Sequence, residues 1–229
     1  MDTTFTLLSA LKGQQKQMDS VANNLANVNT PGFKKDEVIF REYYNEMIGQ
    51  DLESEEERFA HNEYLSPYNR GSSSFVKPEH VSLAMHQGDF KNTESPFDLA
   101  LHSDGFFTVD TAYGTRYTRN GQFSKSSEGF LITNSGEKVQ GLKGPIKVEG
   151  EVFSVGNDGK VIVDNKEVDT LKIVRFNQSN RLRKVGNSMW VPSSIHQTPQ
   201  KPDKINIQQG ALESSNVETV SEMVEMISV

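Results

Sequence analysis

The residues able to do chemistry are sparse, and their spacing limits what they can do. Five histidines occur, His61, His80, His86, His102 and His196, and none forms an H-x-x-x-H or H-E-x-x-H pair. Without such a pair, two imidazoles are not set on one helix face for a metal. Cysteine is absent, which removes disulfides, thiolate metal sites and cysteine nucleophiles together. No G-x-S-x-G elbow and no glycine-rich phosphate cradle is present. Three carboxylates, Asp98, Asp104 and Asp110, lie among Phe97, Phe106, Phe107 and Tyr113, and a glycosidase would need two such acids facing one sugar. Asp104 precedes Gly105, however, and Asp-Gly is first of all a turn pair. The stretch Gly156 to Lys160 lacks the alternating oxygen ligands and distant Glu of a calcium loop, so it reads as a hairpin turn. These residues predict no enzyme, no catalytic residue, no metal and no cofactor. The alternative from a different class is a periplasmic carbohydrate-binding or hydrolytic β domain with helical extensions.

Composition narrows the partners. The chain has 229 residues and a net charge of -7 from 31 acidic and 24 basic side chains. Phosphate backbones need a concentrated basic surface, so no nucleic-acid partner is expected. No apolar run approaches the ~18 residues of a membrane-spanning helix, so no membrane insertion is expected either. The start, MDTTFTLLSALKG, lacks a basic n-region and a small-residue cleavage site, which predicts no cleavable secretory signal.

The elements that must position any site fall into four regions. Eleven of the 17 glycines lie from Gly88 to Gly159, many as turn pairs such as Tyr113-Gly114, Asn120-Gly121, Ser135-Gly136 and Asp158-Gly159. Such pairs tolerate the positive φ of tight hairpins. Short runs of strand formers lie between them, which predicts a β module over residues 88–192, a small barrel or sandwich. Phe106, Phe107, Phe130 and Trp190 are its expected core. Residues 1–33 read as a helix from Thr4 to Val28, stopped by the turn Thr30-Pro31-Gly32-Phe33. Leu11, Met18 and Leu25 recur at seven-residue spacing, as do Leu7, Val21 and Val28 around Gln14, giving an a/d stripe. Residues 193–229 return to a second helix. Ser215 to Glu218 fits a capping box, and Val217, Val220, Val224 and Ile227 take a and d positions. Residues 34–87 read as a helical or extended arm over Lys34 to Leu52, then a polar loop over Glu53 to Pro78. The fold class is α+β, with terminal helices forming a coiled-coil axial core around a central all-β module.

Neither terminal stripe can bury itself. The two helices could close one monomer as a hairpin, or join copies into an oligomer or filament. Four asparagines, Asn23, Asn24, Asn27 and Asn29, crowd the end of the first helix. Helix ends tolerate Asn, but helix interiors disfavour it. A buried amide facing another helix fixes register, as polar residues do in coiled coils, and this favours an interface role for Asn23, Asn24 and Asn27.

At this point the residues resemble a known family. VANNLANVNTPGFK (Val21 to Lys34) is similar to the N-terminal signature of the flagellar axial proteins of the rod, hook and hook-associated kind. GALESSNVETVSEMVEMI (Gly210 to Ile227) resembles their C-terminal signature. SPFDLALHSDGFFTVD (Ser95 to Asp110) and RYTRNGQFSKSSEGFLITNSGEKVQG (Arg116 to Gly141) resemble the β segment of the rod and hook subfamily. A single β module on terminal helices resembles the basal-body rod proteins of the FlgF/FlgG type. Size points to the proximal-rod, FlgF-like kind, with a distal-rod or hook-type axial protein as the alternative. Relatives in that family carry the C-terminal helix several turns further, so the resemblance implies either that the sequence stops short of the natural end at Val229 or that its axial core is shorter than theirs. The resemblance implies a structural subunit exported through the flagellar type III apparatus into a hollow rod crossing the periplasm. Its implied partners are copies of itself, other rod and hook axial proteins, and a bushing ring.

Overall fold

The computed structural model describes residues 2–44, 74–179, 182–193 and 197–228. The expected loop residues Tyr64, Tyr68 and Arg70, the acidic run around Glu55, and His61 and His196 lie outside them. The described residues divide into two compact units. One holds 2–20, 38–44 and 74–81, and the other holds 21–37 and those of 82–228.

The first unit contains most of α1 (Asp2–Ala26), with Leu7, Leu8, Leu11 and Met18 exposed. It also contains most of a two-stranded ribbon, β1 (Asp36–Tyr44) with β2 (Ser74–Leu83). The arm expected after Lys34 is thus extended, not helical, as far as Tyr44. Ser74 to Pro78, expected to be irregular, belongs to β2. A ribbon has only edges, which is where a strand proline such as Pro78 is tolerated.

The second unit is the β module. Its main sheet runs in the order β14 (Leu182–Lys184), β15 (Met189–Pro192), β6 (Gly114–Thr118), β5 (Phe106–Thr111), β9 (Lys138–Val139), β8 (Leu131–Thr133) and β7 (Phe123–Lys125), and β13 (Ile173–Val174) also pairs with β5. A three-stranded sheet, β10 (Phe153–Val155), β11 (Lys160–Val163) and β12 (Lys166–Thr170), lies beside it in the chain. Turn chemistry sets these hairpins. Asp164 and Asn165, at φ 49° and 62°, form the two-residue link between β11 and β12, the left-handed pair a tight hairpin demands. Asn120-Gly121 is different: Gly121 has no positive φ, and a Cβ there would overlap the Leu99 carbonyl. It marks a backbone crossing, not a hairpin.

Two apolar clusters fill the module. The larger packs Phe107, 0% exposed, edge-on to Phe123 among Leu99, Leu131, Val139, Phe153, Val161 and Leu171. The smaller packs Trp190, also 0% exposed, against Phe106, Tyr117 and Phe176. Phe130 is not in either cluster. It is half-buried, with the Lys138 and Lys147 ammonium groups 4.1 and 5.4 Å from its ring centre. It follows the Gly129 turn, beside the stems of these two lysines. Among the described residues the sheets are open, and no strand order closes on itself as a barrel's would.

The return segment completes the fold. β16 (Ile207–Gln209) pairs with β4 (Leu99–Leu101), and β17 (Ala211–Glu213) pairs with β3 (Phe90–Asn92). Gly210, at φ 76°, donates to the Asp98 carbonyl at 2.8 Å and lets the strand change partners. α2 (Thr219–Ser228) follows. It starts later than expected, because the Ser215 hydroxyl accepts the Val217 N–H at 3.3 Å in a local turn instead of capping a helix at that point. Val217 therefore precedes the helix and is buried.

Candidate functional site

The two terminal motifs meet within the second unit and interlock through buried charge. The first node is Glu213, at the end of β17 and 2% exposed. Its Oε1 accepts from Lys34 Nζ at 2.6 Å and from Gly88 N at 3.2 Å, and its Oε2 accepts from Arg119 Nε at 2.7 Å. Arg119 also donates to the carbonyls of Ser103 at 2.8 Å, Gly105 at 2.5 Å and Leu101 at 2.9 Å. Lys34 adds the His86 carbonyl at 2.7 Å. The backbone fits the same point: Gly32, at φ 65°, donates to the Glu213 carbonyl at 2.7 Å, and a Cβ on it would overlap the Arg119 backbone. Only glycine meets both demands. Burial lowers the Lys34 pKa below the ordinary lysine value, and its ion pair with Glu213 only partly opposes this.

The second node is Glu222, in the first turn of α2 and 0% exposed. Lys35 forms an ion pair with it and lies 3.9 Å from Glu225. Asn24, 1% exposed in the last turn of α1, donates to Glu222 Oε2 at 3.1 Å and to the Asp36 carbonyl at 3.0 Å, and accepts from Asp36 N at 2.8 Å. An amide is needed here, because the site asks one side chain to donate twice and accept once. For Lys35, burial pushes the pKa down, but the hydrogen bond and charge of Glu222 outweigh it and the net shift is upward.

Asp36 links the nodes. Its carboxylate takes Asn23 Nδ2 at 2.8 Å and Lys184 Nζ at 2.8 Å. Lys184 also donates to the Lys34 carbonyl at 2.7 Å and lies 3.8 Å from the Phe33 ring centre. Burial lowers the Lys184 pKa, opposed by Asp36. Asn216 closes the far side. Its Oδ1 accepts Lys35 N at 2.7 Å, and its Nδ2 donates to the carbonyls of Ala84 at 2.7 Å and His86 at 3.0 Å. Hydrogen bonds to charged groups are worth about 1.5–3 kcal/mol each, and losing one partner of a buried pair costs about 3–5 kcal/mol. The arrangement is a clamp in which Glu213, Glu222 and Asp36 each pair with a cation.

The structure sorts the expected interface residues into two groups. Val21, Asn24, Phe33, Gly32 and Val217 are buried within this clamp or beside it, and Leu25, Asn27, Val28, Thr30 and Pro31 are half-buried. Asn27 donates to the Asn23 carbonyl at 2.8 Å, and Thr30 donates to Asn27 at 3.2 Å. Leu7, Leu11, Met18, Val220, Val224 and Ile227 are exposed, Ile227 at 86%. Sequence reasoning missed Lys34, Asp36, Arg119, Lys184, Glu213, Asn216 and Glu222. The available signal was charge inside runs that otherwise read as apolar, such as Ala211-Leu212-Glu213.

The carboxylates considered for catalysis do not converge. Asp98 is buried and bridges to Gln122, while Asp104 and Asp110 flank opposite ends of β5, roughly 15 Å or more apart along an extended chain. His102 stacks on Phe90 and meets Gln208 at 2.8 Å. Among the described residues no group of three or more His, Asp or Glu side chains is placed to hold a metal ion.

Comparison with known proteins reaches the same three segments. Residues 6–34 match the profile described as "Flagella basal body rod protein", residues 100–163 that of "Flagellar hook protein FlgE/F/G D1 domain", and residues 208–229 that of "Flagellar basal body rod FlgEFG protein C-terminal". The flagellar basal-body rod protein FlgG of Bacillus subtilis is 33% identical over 96% of this chain and 86% of its own length. FlgF of Mesorhizobium japonicum is 29% identical over 100% and 87%, and FlgF of Caulobacter vibrioides is 31% identical over 94% and 82%. With the first and last profiles falling on the two halves of the clamp and the middle one on the β module between them, the chain belongs to the flagellar basal-body rod proteins of the FlgF/FlgG type.

Proposed function

We propose that the chain is a rod subunit whose clamp ties the inner ends of its terminal helices to the β module, while the exposed faces of those helices are buried only against neighbouring subunits. The observation that carries this reading is the contrast between a clamp whose buried charges are paired and the apolar residues left open on the same two helices: Leu7, Leu11 and Met18 on α1, Val220, Val224 and Ile227 on α2. Helices of this length are marginal unless an apolar face is covered, and a narrow a/d stripe is suited to helix–helix packing. Stacked copies would form a coiled-coil axial core around a channel, with the β modules outside. Such a shaft would cross the periplasm, transmit torque and pass later subunits. Its partners would be other axial proteins of the rod and hook, the type III export apparatus that delivers it, and a bushing ring around it. Relatives named FlgF and relatives named FlgG both align along nearly the whole chain, so the proximal, FlgF-like position stands beside the distal, FlgG-like one.

Sedimentation of the full chain over a concentration series tests the proposal. Wild type should form large species, and Val224→Asp with Ile227→Asp should stay small while melting like wild type, because both side chains are exposed. Large species from the double variant would refute the axial role of α2.

A further inference from the structure

Side chains that a peroxide can attack are few in this chain, and their placement is selective. Cysteine, whose thiolate is the usual first target, is absent. Trp190, the sole tryptophan, is 0% exposed. Methionine thioethers remain. Met189 is 2% exposed in the core of the β module, and Met85 and Met226 are half-buried. Among the described residues only Met18 and Met223 are open, at 41% and 49%.

Both lie on the helix faces that the proposed function assigns to neighbouring subunits. Met223 is in α2, three residues after Val220, one before Val224 and four before Ile227, and all of these are exposed. Spacings of three and four put these side chains on one helix face, with Met223 at its centre. Met226, three residues further along α2, is half-buried and gives an internal comparison. Met18 is in α1, seven residues after the exposed Leu11 and on the same stripe.

A reduced thioether suits such a face, being apolar and adaptable in shape. A peroxide changes that. The sulfur lone pair attacks one peroxide oxygen, an S–O bond forms as the O–O bond breaks, and the departing oxygen leaves with both protons as water. Sulfur gives up one electron pair and the peroxide gains it. The sulfoxide is polar and chiral, and sulfoxide reductases return it to the thioether. In the free chain the added oxygen stays in water, so the fold is untouched. In an apolar helix seam it is a buried polar group without a donor, which is unfavourable.

We propose that Met18 and Met223 form a reversible oxidation site that gates assembly, open to subunit contact as thioethers and closed to it as sulfoxides. This inference rests on the reading that the chain polymerises, and adds a chemical control on when it can.

Full-length protein is treated with dilute hydrogen peroxide, and the oxidised residues are located by peptide mass spectrometry. Each sample is sedimented over a concentration series before treatment, after it, and after incubation with both methionine sulfoxide reductases and a thiol reductant. Met18 and Met223 should gain oxygen before Met226, and Met226 before Met189. The oxidised protein should need roughly tenfold or more the concentration to assemble, and the reductases should restore the original value. The urea midpoint read from Trp190 fluorescence should stay the same throughout. Met18→Leu with Met223→Leu, compared with its own untreated sample, should lose the sensitivity to peroxide. Oxidation at both residues with assembly unchanged, oxidation that reaches Met189 first, or equal sensitivity in the double variant overturns the gate and leaves the rod reading standing. Absence of assemblies before any treatment overturns the gate and the rod reading together.

Discussion

Replacing Glu213 by Gln preserves shape and removes one charge, which isolates what the carboxylate does. Wild-type Glu213 faces two buried cations, Lys34 and Arg119, at 2.6 and 2.7 Å. The amide keeps one acceptor, turns its NH2 group toward donors, and leaves both cations buried without an anion. Breaking a buried pair in this way costs about 3–5 kcal/mol, a large share of the ~5–15 kcal/mol that holds a typical domain together. Trp190 is the sole tryptophan and is fully buried in this unit, so urea unfolding followed by its fluorescence reports the loss directly. A second signature follows from Lys34, whose folded pKa is already lowered by burial. Without Glu213 it falls further, while the unfolded value stays ordinary. Between those two values the unfolded chain binds more protons, so stability rises with pH. The Glu213→Gln penalty should therefore shrink as pH climbs from 7 toward 10. A loss under about 1 kcal/mol, or a penalty that does not change with pH, would refute the clamp as a source of stability.

Other perturbations separate clamp, module and assembly. Asn24→Asp removes both donated hydrogen bonds and sets a second carboxylate beside Glu222, so about 3 kcal/mol or more should be lost in a denaturant titration. Gly121→Ala should prevent folding of the β module, while Gly136→Ala, at an open turn with φ 92°, should cost only about 1 kcal/mol of strain in the same titration. Leu7→Asp with Leu11→Asp should abolish sedimenting assemblies and leave the urea midpoint unchanged, since both side chains are exposed. Above the ordinary lysine range, loss of the Lys35 charge should weaken the fold, because its folded pKa is raised by Glu222, and Lys35→Met should flatten that alkaline decline.

Much of the β module was legible from local pattern. The turn pairs at Tyr113-Gly114, Ser135-Gly136 and Asp158-Gly159 mark real hairpin links, because a tight reversal is decided by two or three adjacent residues. Asn120-Gly121 misled for the complementary reason. The same dipeptide also serves a close backbone approach, and the Leu99 carbonyl that demands it is remote in sequence. Both helices were legible from apolar periodicity, the first to within two residues at its start and the second to within about three. Asn24, expected to fix register against another helix, meets Glu222 of α2 within the same chain. The clamp itself was not legible. Its partners are 94, 179 and 198 residues apart, and nothing local distinguishes a lysine that will be buried from one that will be solvated. Periodicity also says which side chains are apolar, not which of them the monomer covers, so it could not divide Val21 from Leu7.

The wide separation of Lys34 from Glu213 carries a kinetic consequence. Joining points 179 residues apart costs roughly 4–5 kcal/mol of chain entropy, so this closure comes late, after local hairpins have formed. A polypeptide emerging N-terminus first cannot fasten until Glu213 arrives, and one that breaks off before that residue never fastens at all. The knot between these distant segments thereby acts as a checkpoint on synthesis, admitting to the locked shape only molecules that extend through Glu213 and Glu222.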